Sequence, residues 1–408
     1  MKINPCVIGL GYVGLPIILH LASKFSSHGF DINTNRINNL KNKIDTNNEF
    51  KSKDFYKKKI HFTNNLSDIK NCNFFIICVP TPVKKNKKPN LQNLKNAIDI
   101  VSKVLKKNDI IFIESTIYPG LTKQYKNYLE KKTNLKNNID FYIGYSPERI
   151  NPGDKTNTLK NIKKIVAINT EKKSVLKKVY KVYNTVSKEI ILSKNIRAAE
   201  TAKVIENIQR DLNIALINEI LLICKKLKID FKEVLKLAKT KWNFINFNPG
   251  LVGGHCLPVD PYYLSSIAAK KKFKTNVILA GRKTNDKMSN FIINDLKFFL
   301  AKKNKSLKNS KIIIIGLSYK AGVADMRNSL NFEIFKKLKK NCNNVYGYDP
   351  FVENKIRKNY RIYNKINANK KYDVILFLSN HEKFKKKFKN ILLSKNRNNI
   401  LDPFRYFS

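Results

Sequence analysis

The sequence predicts an α/β protein in which two doubly wound domains are joined by a central helical domain with a long helix. Short apolar runs alternate with helix-length amphipathic stretches in the first half of the 408-residue chain, and again after residue 311. The region between them has helical periodicity instead. We therefore expect domain boundaries that give residues 1–193, 194–305 and 306–408.

The first domain is predicted from continuous apolar runs separated by helix-length segments. Such runs are typical of parallel strands that are covered on both faces. Pro5 has no N–H to donate to a neighbouring strand, so we expect it at the first position of the first strand or outside it. The runs are Cys6–Gly9, His28–Asp31, Phe74–Val79, Ile110–Glu114, Phe141–Gly144, Ile165–Ile168 and Ile190–Leu192.

A long helix from Ala198 to Lys226 is predicted for the second domain. Apolar residues recur there at helical spacing, and the segment has neither glycine nor proline. At 1.5 Å per residue it would be about 40 Å long, enough to bridge two domains and to pair with a second copy of the chain. Strand-like runs return in the third domain at Ile312–Gly316, Val345–Asp349, Val374–Leu378 and Ile400–Asp402.

Composition limits the class of protein. No run of 18 apolar residues is present, so we expect no membrane span, and Met1–Gly9 has the pattern of a strand rather than of a signal peptide. The six cysteines form no C-x-x-C pair, and no Cys/His cluster has the spacing of a zinc site. We therefore expect a cytoplasmic protein with reduced cysteines and no metal.

The net charge is +50, from 80 Lys and Arg against 30 Asp and Glu. One interpretation is nucleic-acid binding, with RNA or phosphate-bearing small molecules as the partners. The other is an accumulation of lysine on solvated surfaces. Lysines and asparagines are scattered through nearly every segment, and aromatic residues are not interleaved with basic ones as in an RNA-binding motif. The second interpretation is favoured, and we expect no specific nucleic acid partner.

A glycine-rich loop follows the first predicted strand and precedes an amphipathic segment. In Gly9-x-Gly-x-x-Gly14, the first glycine allows a tight turn, the second allows a pyrophosphate to approach, and the third allows the helix to pack on the strand. Asp31 ends the next strand, where a carboxylate binds a ribose hydroxyl and repels a 2′-phosphate. This pattern predicts a Rossmann-like NAD site formed by Gly9, Gly11, Tyr12, Val13, Gly14 and Asp31.

Cys256 is the strongest candidate for a nucleophile. It lies in Asn248-Pro-Gly-Leu-Val-Gly-Gly-His-Cys-Leu-Pro-Val-Asp260, where glycines allow close approach to a ligand and prolines fix the turns. A thiol presented in this way, four residues before a carboxylate, suits nucleophilic chemistry. The alternative is a thiol that only packs in the protein interior.

Polar residues of the long helix and of the strand ends are further candidates. Lys203 and Asn207 share one helix face, and with Arg210 they could hold an oxyanion; a solvated charged face is the alternative. Three residues follow predicted strands at the carboxyl edge, where ligands bind in open α/β sheets. They are Thr81, Thr116 and Glu148, and turn chemistry alone is the alternative for each.

The motifs taken together resemble those of one enzyme family. The glycine loop is followed by Phe30-Asp-Ile-Asn33, Val79-Pro-Thr-Pro82, Glu114-Ser-Thr116, Ser146-Pro-Glu-Arg149, Glu200-Thr-Ala-Lys-Val-Ile-Glu-Asn207, Gly253-Gly-His-Cys256, Gly316-Leu-Ser-Tyr-Lys320 and Asp325-Met-Arg-Asn-Ser329. In this order they are similar, over essentially the whole chain, to the UDP-glucose/GDP-mannose dehydrogenase family of NAD-dependent nucleotide-sugar 6-dehydrogenases. The resemblance implies an NAD-binding first domain, a central domain for dimerisation and catalysis, and a Rossmann-like third domain that binds the UDP-sugar.

This resemblance implies a two-step, four-electron oxidation of a sugar C6 hydroxyl. After one hydride passes to NAD, the thiolate of Cys256 would trap the aldehyde as a thiohemiacetal. A second hydride transfer would leave a thioester, which water hydrolyses to the acid. Lys203 and Asn207 would stabilise the C6 oxyanion, and Lys203 is also a candidate for proton transfer. The proton-transfer water would be held or activated by Asp260, Thr116 and Glu148.

The resemblance also assigns binding residues. Asp31 and Arg36 would contact the adenosine ribose, and the remaining cofactor contacts would come from Thr81, Thr116 and Arg327. The nucleotide sugar would be bound by Glu148, Arg149, Ile150, Asn151, Lys203, Asn207, Arg210, Gly253, Tyr319 and Lys320. The long helix would build a homodimer.

Val259 stands where the UDP-glucose branch of the family usually has a lysine. Together with Lys241–Phe244 and Asp260–Tyr263, it makes the chain similar to the UDP-N-acetylhexosamine branch. We expect UDP-N-acetylglucosamine as the substrate, used for surface polysaccharide biosynthesis. UDP-N-acetylgalactosamine, UDP-glucose and GDP-mannose are the alternatives within the family. The alternative from another class is a non-catalytic basic protein that binds RNA.

Overall fold

The computed structural model describes residues 2–406 except 48, 57, 85, 150–155, 157, 321, 323–325, 327, 353, 364–369 and 380–396. It divides into two compact units. The first comprises residues 1–206 and 262–273, and the second comprises residues 207–261 and 274–408. The division into three domains at residues 193 and 305 stays a prediction.

The first unit is built on an eight-stranded sheet of order β3-β2-β1-β4-β5-β6-β7-β8. Pro5 is the first residue of β1, as expected for a residue without an N–H. The strands are β1 (Pro5–Ile8), β2 (Ser27–Phe30), β3 (Ile60–Thr63), β4 (Phe74–Ile77), β5 (Asp109–Ile113), β6 (Phe141–Tyr145), β7 (Lys163–Ile168) and β8 (Glu189–Ser193).

Two strands of this sheet, β7 and β8, run opposite to the other six and so depart from the parallel arrangement that the sequence predicts. β7 pairs with β6 antiparallel, with Gly144 opposite Ile168 and Tyr145 opposite Ala167, and it pairs with β8 in parallel. Parallel neighbours need a crossover connection, usually a helix. The described residues between β6 and β7 include no helix, which suits the antiparallel pairing. The strands β1, β4 and β5 remain parallel, so their carboxyl ends meet at one edge.

Helices cover the sheet of the first unit. Ile17 and Ile18 of α1 and Val179 and Val182 of α5 are fully buried in the same apolar cluster as Phe112 of β5. The helices are α1 (Gly14–Leu21), α2 (Thr34–Lys41), α3 (Gln92–Ser102), α4 (Leu121–Thr133) and α5 (Lys173–Val186), with 3-10 turns at Ser52–Phe55 and Leu66–Ile69.

The long helix α6 (Ile196–Leu227) confirms the helix predicted from Ala198 to Lys226. Its 32 residues span about 48 Å at 1.5 Å per residue. It contributes residues to both units, as does α8 (Asp260–Lys270). Other helices of the second unit are α7 (Phe231–Ala238), α9 (Asn276–Ala301), α10 (Leu330–Asn341) and α11 (Asn354–Tyr360), with a 3-10 turn at Arg397–Asn399.

The second unit holds a parallel sheet of order β11-β10-β9-β12-β13. Ile312 and Ile314 of β9 share a buried cluster with Met288 and Ile292 of α9, whereas Ile313 belongs to a cluster on the opposite face of the sheet. Both faces are therefore covered, which explains the continuous apolar sequence. The strands are β9 (Lys311–Ile315), β10 (Asn344–Tyr348), β11 (Ile362–Tyr363), β12 (Val374–Phe377) and β13 (Ile400–Leu401).

The described part of the chain has neither a membrane-crossing helix nor a metal-binding cluster. None of its helices combines the length and the apolar character that a bilayer crossing requires. Within the same residues, no three His, Cys, Asp or Glu side chains are grouped as a metal site. The cytoplasmic location expected from the sequence stays a prediction.

Candidate active site

The glycine-rich loop joins β1 to α1 in the first unit. Gly9 has φ +89°, and a Cβ there would lie 2.8 Å from the carbonyl oxygen of Cys78. A Cβ on Gly14 would lie 1.8 Å from the carbonyl oxygen of Gly9, so only glycine allows this packing. Apart from Gly11 and its two chain neighbours, no atom of the described residues lies within 4 Å of a Cβ built on Gly11. The loop therefore leaves open the space that a pyrophosphate needs, and it fits NAD.

Asp31 and Arg36 both support the backbone of this loop. Asp31 Oδ2 accepts from the N–H of Leu10 at 2.8 Å, and Oδ1 accepts from the N–H of Asn33 at 2.9 Å. Arg36 Nε donates to the carbonyl of Leu10 at 2.9 Å, and Nη1 pairs with Asp45 at 2.7 Å. Because a carboxylate oxygen accepts more than one hydrogen bond, Asp31 keeps capacity for a ribose hydroxyl. Tyr12 and Val13 lie half-buried in the same loop.

Thr81 and Thr116 follow β4 and β5 at the carboxyl edge of the sheet, and the structure brings them together. Thr81 Oγ1 donates to the carbonyl of Thr116 at 2.8 Å. Ser115 Oγ donates to the carbonyl of Val79 at 2.7 Å, and the Tyr263 hydroxyl donates to the carbonyl of Thr81 at 2.8 Å. These hydrogen bonds hold the two strand ends side by side, next to the strand that leads into the glycine loop.

Glu148 follows β6 and is buried beside a lysine that sequence reasoning missed. Lys164 of β7 is fully buried, and its Nζ lies 3.4 Å from Glu148 Oε2. The same ammonium pairs with Glu114, which directly follows β5 and also accepts from the Tyr183 hydroxyl at 2.8 Å. Nζ donates in addition to the carbonyl of Pro147 at 3.2 Å. One buried cation thus holds two carboxylates at the carboxyl edge of the sheet.

Burial and charge oppose each other in this cluster. Burial acts to lower the pKa of Lys164, but the attraction of Glu114 and Glu148 outweighs it, and the pKa is raised. Burial raises the pKa of Glu114, an effect that the Lys164 ammonium opposes. Lys164 therefore stays charged at neutral pH, and the Glu114 carboxylate depends on that charge.

The first half of α6 is attached to the first unit by two glutamates. Glu200 accepts from the backbone N–H of Gly120 and, at 2.9 Å, from that of Thr122, at the N-terminus of α4. Glu206 pairs with Arg149, whose Nη1 also donates to the carbonyl of Lys163 at 3.2 Å. Lys203 lies between these two glutamates in the chain and is buried.

Cys256 lies in the second unit, shortly before α8. All six cysteines are described, none is in a disulfide, and Cys256 is the exposed one. Its carbonyl accepts from the N–H groups of Val259 at 3.0 Å and Asp260 at 2.9 Å. Asn207 Nδ2 donates to the buried Asp260 carboxylate at 2.5 Å. The nucleophile candidate, the carboxylate and the helix amide are thus grouped within one unit.

The loop before Cys256 packs against the segment that precedes α10. The N–H of Gly254 donates to the carbonyl of Asn328 at 3.1 Å. Gly254 has φ +90°, and a Cβ there would lie 2.8 Å from the ring of Tyr319; a Cβ on Gly253 would lie 2.7 Å from the Asn328 carbonyl oxygen. Both glycines are therefore needed for close packing. Lys320 is half-buried, and Arg210 is exposed.

The predicted site residues are divided between the two units. Thr116, Glu148 and Lys203 belong to the first unit, whereas Asn207, Cys256 and Asp260 belong to the second. Three predicted contact residues lie outside the described residues, namely Ile150, Asn151 and Arg327. The roles assigned to all these residues stay predictions, which the function proposed below takes up.

Family models match nearly the whole chain. The NAD binding domain of the UDP-glucose/GDP-mannose dehydrogenase family matches residues 1–187, and its central domain matches residues 197–287. The UDP binding domain of the same family matches residues 313–407. The NAD cofactor expected from the glycine loop and Asp31 is thereby confirmed.

Individual relatives support the same family assignment. A UDP-N-acetyl-D-glucosamine 6-dehydrogenase of Salmonella typhi is 40% identical over 94% of this chain and 91% of its own length. A Pseudomonas aeruginosa protein of the same name is 42% identical over 85% of this chain and 82% of its own length. A solved UDP-D-ManNAc dehydrogenase from Pyrococcus horikoshii superimposes with a TM-score of 0.88 at 30% identity, covering 100% of this chain and 96% of its own. The chain therefore belongs to the UDP-glucose/GDP-mannose dehydrogenase family, a family of NAD-dependent nucleotide-sugar dehydrogenases.

Proposed function

We propose that this protein oxidises the C6 hydroxyl of UDP-N-acetylglucosamine to a carboxylate, in two NAD-dependent steps. The family gives the chemical class, and the two relatives named as UDP-N-acetyl-D-glucosamine 6-dehydrogenases support the sugar. The observation that carries the proposal is the exposed Cys256, whose carbonyl accepts from the N–H of Asp260, while the Asp260 carboxylate accepts from Asn207. The product would supply surface polysaccharide biosynthesis.

The glycine loop and its supports would hold the cofactor. Bound NAD supplies the hydride acceptor for each oxidation. Gly11 leaves space for the pyrophosphate, and the positive end of the α1 dipole favours its negative charge. Asp31 would accept from the ribose and disfavour a 2′-phosphate. Thr81 and Thr116, joined by a hydrogen bond, would line the same carboxyl edge.

Cys256 would act as the covalent catalyst. Its thiolate attacks the C6 aldehyde and forms a C–S bond, which retains the intermediate between the two oxidations. After the second oxidation the sugar is held as a thioester, and hydrolysis by water releases the acid and restores the thiol. Exposure of the thiol suits this role, because only an accessible thiolate can attack a substrate carbon.

Asn207 and Lys203 would stabilise the negative charge that develops on the C6 oxygen. An amide has two N–H donors. One donor of Asn207 is directed to Asp260 at 2.5 Å, which fixes the amide and leaves the second donor for the oxyanion. Glu148 and Thr116 would hold the proton-transfer water with Asp260. The Lys164 ammonium, 3.4 Å from Glu148, keeps that carboxylate in place.

The choice among sugars is the finest part of the proposal. Val259 is buried in the turn between Cys256 and Asp260, at the position where the UDP-glucose branch usually has a lysine. UDP-N-acetylmannosamine is the nearest alternative, because relatives at 35% and 33% identity are named for it. UDP-N-acetylgalactosamine, UDP-glucose and GDP-mannose are further alternatives with the same chemistry.

NADH formation per molecule of sugar consumed tests the proposal. With purified protein and UDP-N-acetylglucosamine we expect about two NADH per sugar, because alcohol-to-acid oxidation transfers two hydrides. Two NADH with another nucleotide sugar, and none with this one, would keep the chemistry and replace the substrate. No NADH with any nucleotide sugar, together with salt-sensitive RNA binding, would favour the RNA-binding alternative.

We also propose that α6 forms a homodimer with a second copy of the chain. Leu216, Ile223 and Leu227 are 54%, 50% and 63% exposed, and their spacing of seven and four residues places them on one helix face. Exposed apolar side chains in a row of this kind are typical of an interface.

The double substitution Leu216→Glu with Ile223→Glu should convert the dimer to a monomer, because each chain would have to bury two charges at the interface. Sedimentation equilibrium should give the chain mass of 47.3 kDa for this variant and twice that mass for the unchanged protein. Lys308→Glu, an exposed charge change elsewhere in the second unit, is the control. A variant that remains dimeric would place the interface on another surface.

A further inference from the structure

A fully buried asparagine on α6 holds the start of the loop that leads to Cys256. The N–H of Gly250 donates to Asn218 Oδ1 at 2.9 Å, and Asn218 Nδ2 donates to the carbonyl of Gly250 at 3.0 Å. One side chain therefore satisfies both backbone polar groups of a single residue. Two hydrogen bonds at this point fix the orientation of the chain as well as its distance from α6.

A second buried asparagine, on α9, fixes the Asn218 amide. Asn218 Nδ2 also donates to Asn285 Oδ1 at 2.9 Å. Asn285 Nδ2 in turn donates to the carboxylate of Asp211 at 2.8 Å and to its backbone carbonyl at 3.0 Å. Arg282 pairs with the same carboxylate at 2.6 Å. The four side chains form one connected polar network, and it determines which end of the Asn218 amide donates.

The loop is held again closer to Cys256. Five residues lie between Gly250 and Cys256, and the N–H of one of them, Gly254, donates to the carbonyl of Asn328. The carbonyl of Cys256 itself accepts from Val259 and Asp260. The segment before Cys256 is therefore held at Gly250 and again at Gly254. Loss of the Gly250 hydrogen bonds would remove the first of these two anchors, so the path of the chain toward the thiol would be less well defined.

Packing alone does not account for this network. An apolar side chain of similar size would fill the position of Asn218 without the cost of removing an amide from water. A buried amide is compensated when its own donors and acceptor have partners, and for Asn218 those partners include the backbone of the loop. The network therefore contributes a defined loop position rather than extra stability.

We propose that Asn218 is a positioning residue for the Cys256 thiol, held in its working orientation by Asn285. The inference rests on the function proposed for Cys256. Neither asparagine touches the reacting atoms. Asn218 acts through Gly250 and the loop, and it sets how closely the thiolate meets the substrate carbon. Misplacement of a reacting group by about 1 Å can cost roughly 100-fold in rate.

Kinetics of Asn218→Ala test this assignment, with Asn213→Ala as the matched control. Asn213 lies on the same helix, and among the described residues its side chain donates only to the carbonyl of Gln209 within that helix. We expect kcat of Asn218→Ala to fall by about 100-fold while KM for NAD stays within about threefold, because the cofactor residues are not touched. The Asn213→Ala control should keep both constants. A folded Asn218→Ala protein with unchanged kcat would overturn the assignment.

Asn218→Asp provides a signature that a purely structural role would not give. An ionised carboxylate accepts from the Gly250 N–H but repels the Gly250 carbonyl and Asn285 Oδ1. Once protonated, it can donate again, so its kcat relative to the unchanged protein should rise as the pH is lowered from 8 to 6. The relative kcat of Asn218→Ala should stay flat over this range. If Asn218→Ala does not fold, Asn285→Ala is the second variant, and it should lower kcat by a smaller factor.

Alkylation of the thiol separates this inference from the proposed function. Cys256 is the exposed cysteine, so iodoacetamide modification at this residue, identified by mass spectrometry, reports its position without any turnover. We expect the Asn218→Ala rate to differ from that of the unchanged protein by more than the Asn213→Ala rate does. Equal rates in all three proteins would overturn the positioning role. An inactive unchanged protein with a changed alkylation rate would instead contradict the proposed function alone.

Discussion

Cys256→Ser should lower steady-state turnover on UDP-N-acetylglucosamine by about 1,000-fold or more, since it removes the group proposed to retain the aldehyde. Serine is a far weaker nucleophile than a thiolate at neutral pH. Any oxygen ester that did form would also be hydrolysed more slowly than a thioester. The variant should therefore release about one NADH per enzyme molecule if it stops after the first oxidation, or about two if the ester forms, and then stall.

Stopped-flow measurement of NADH absorbance checks this expectation, and Cys224→Ser is the matched control. Cys224 is a buried residue of α6 in the second unit. Its substitution replaces the same sulfur atom by oxygen, but outside the candidate site. The control should keep two NADH per sugar. Full turnover by Cys256→Ser would remove the covalent intermediate from the mechanism, while two NADH per sugar in the unchanged protein would still support the dehydrogenase reaction.

Elements whose sequence pattern follows from local geometry could be predicted. The apolar runs at β1, β4 and β5 reflect burial of these strands. The glycines of the loop reflect close packing, since a Cβ on Gly14 would lie 1.8 Å from the carbonyl oxygen of Gly9. The prediction of helix α6 agrees with the structure to within two residues at each end, because apolar residues recur at helical spacing along a segment that has neither glycine nor proline. β3, with the sequence Ile-His-Phe-Thr, was missed since two of its four residues are polar.

The direction of β7 could not be predicted, because strand direction depends on the connection rather than on the strand. Ile165–Ile168 has the same apolar pattern as a parallel strand that is buried on both faces. The apolar pattern of a strand does not show whether the preceding connection crosses over, which gives a parallel neighbour, or turns back directly, which gives an antiparallel one. The sheet is consequently mixed, and its direction changes between β6 and β7. In the strand order, β6 lies three strands away from β1, which leads into the glycine loop.

Residues that support the site through long-range contacts gave weak sequence signals. Lys164 is one of 80 basic residues and stands next to Lys163 in a strand, so nothing local marks it as the buried one. Asn218 did carry a signal, because it interrupts an apolar helix face between Ala215 and Leu221. Its partner Gly250 is 32 residues away, and only the structure reveals the pair.

Lys164→Met should destabilise the first unit by about 3–5 kcal/mol at pH 8, because it leaves two carboxylates buried without their counter-charge. Glu114 and Lys164 are fully buried, and Glu148 is nearly so. Methionine has a similar length, so packing changes little and the loss of charge dominates. The urea midpoint followed by circular dichroism measures the difference.

Lys163→Met is the matched control for this prediction. Lys163 is the preceding residue of β7 and pairs with Glu189 at 2.8 Å, but both side chains are more than half exposed. Exposed pairs of this kind contribute about 0–1 kcal/mol, so the control should unfold close to the unchanged protein. Equal midpoints for the two variants would show that the buried cation does not stabilise the fold.

The deficit of Lys164→Met should also shrink as the pH falls. Burial raises the pKa of Glu114, so the folded state binds a proton more tightly than the unfolded chain does. Such a group contributes stability at low pH that is lost as the pH rises through its folded pKa, and removal of the opposing cation raises this pKa further. Urea midpoints of Lys164→Met and the unchanged protein should therefore converge between pH 8 and pH 5.5. A gap that widens with acid would mean that Lys164 does not serve as the counter-charge of Glu114.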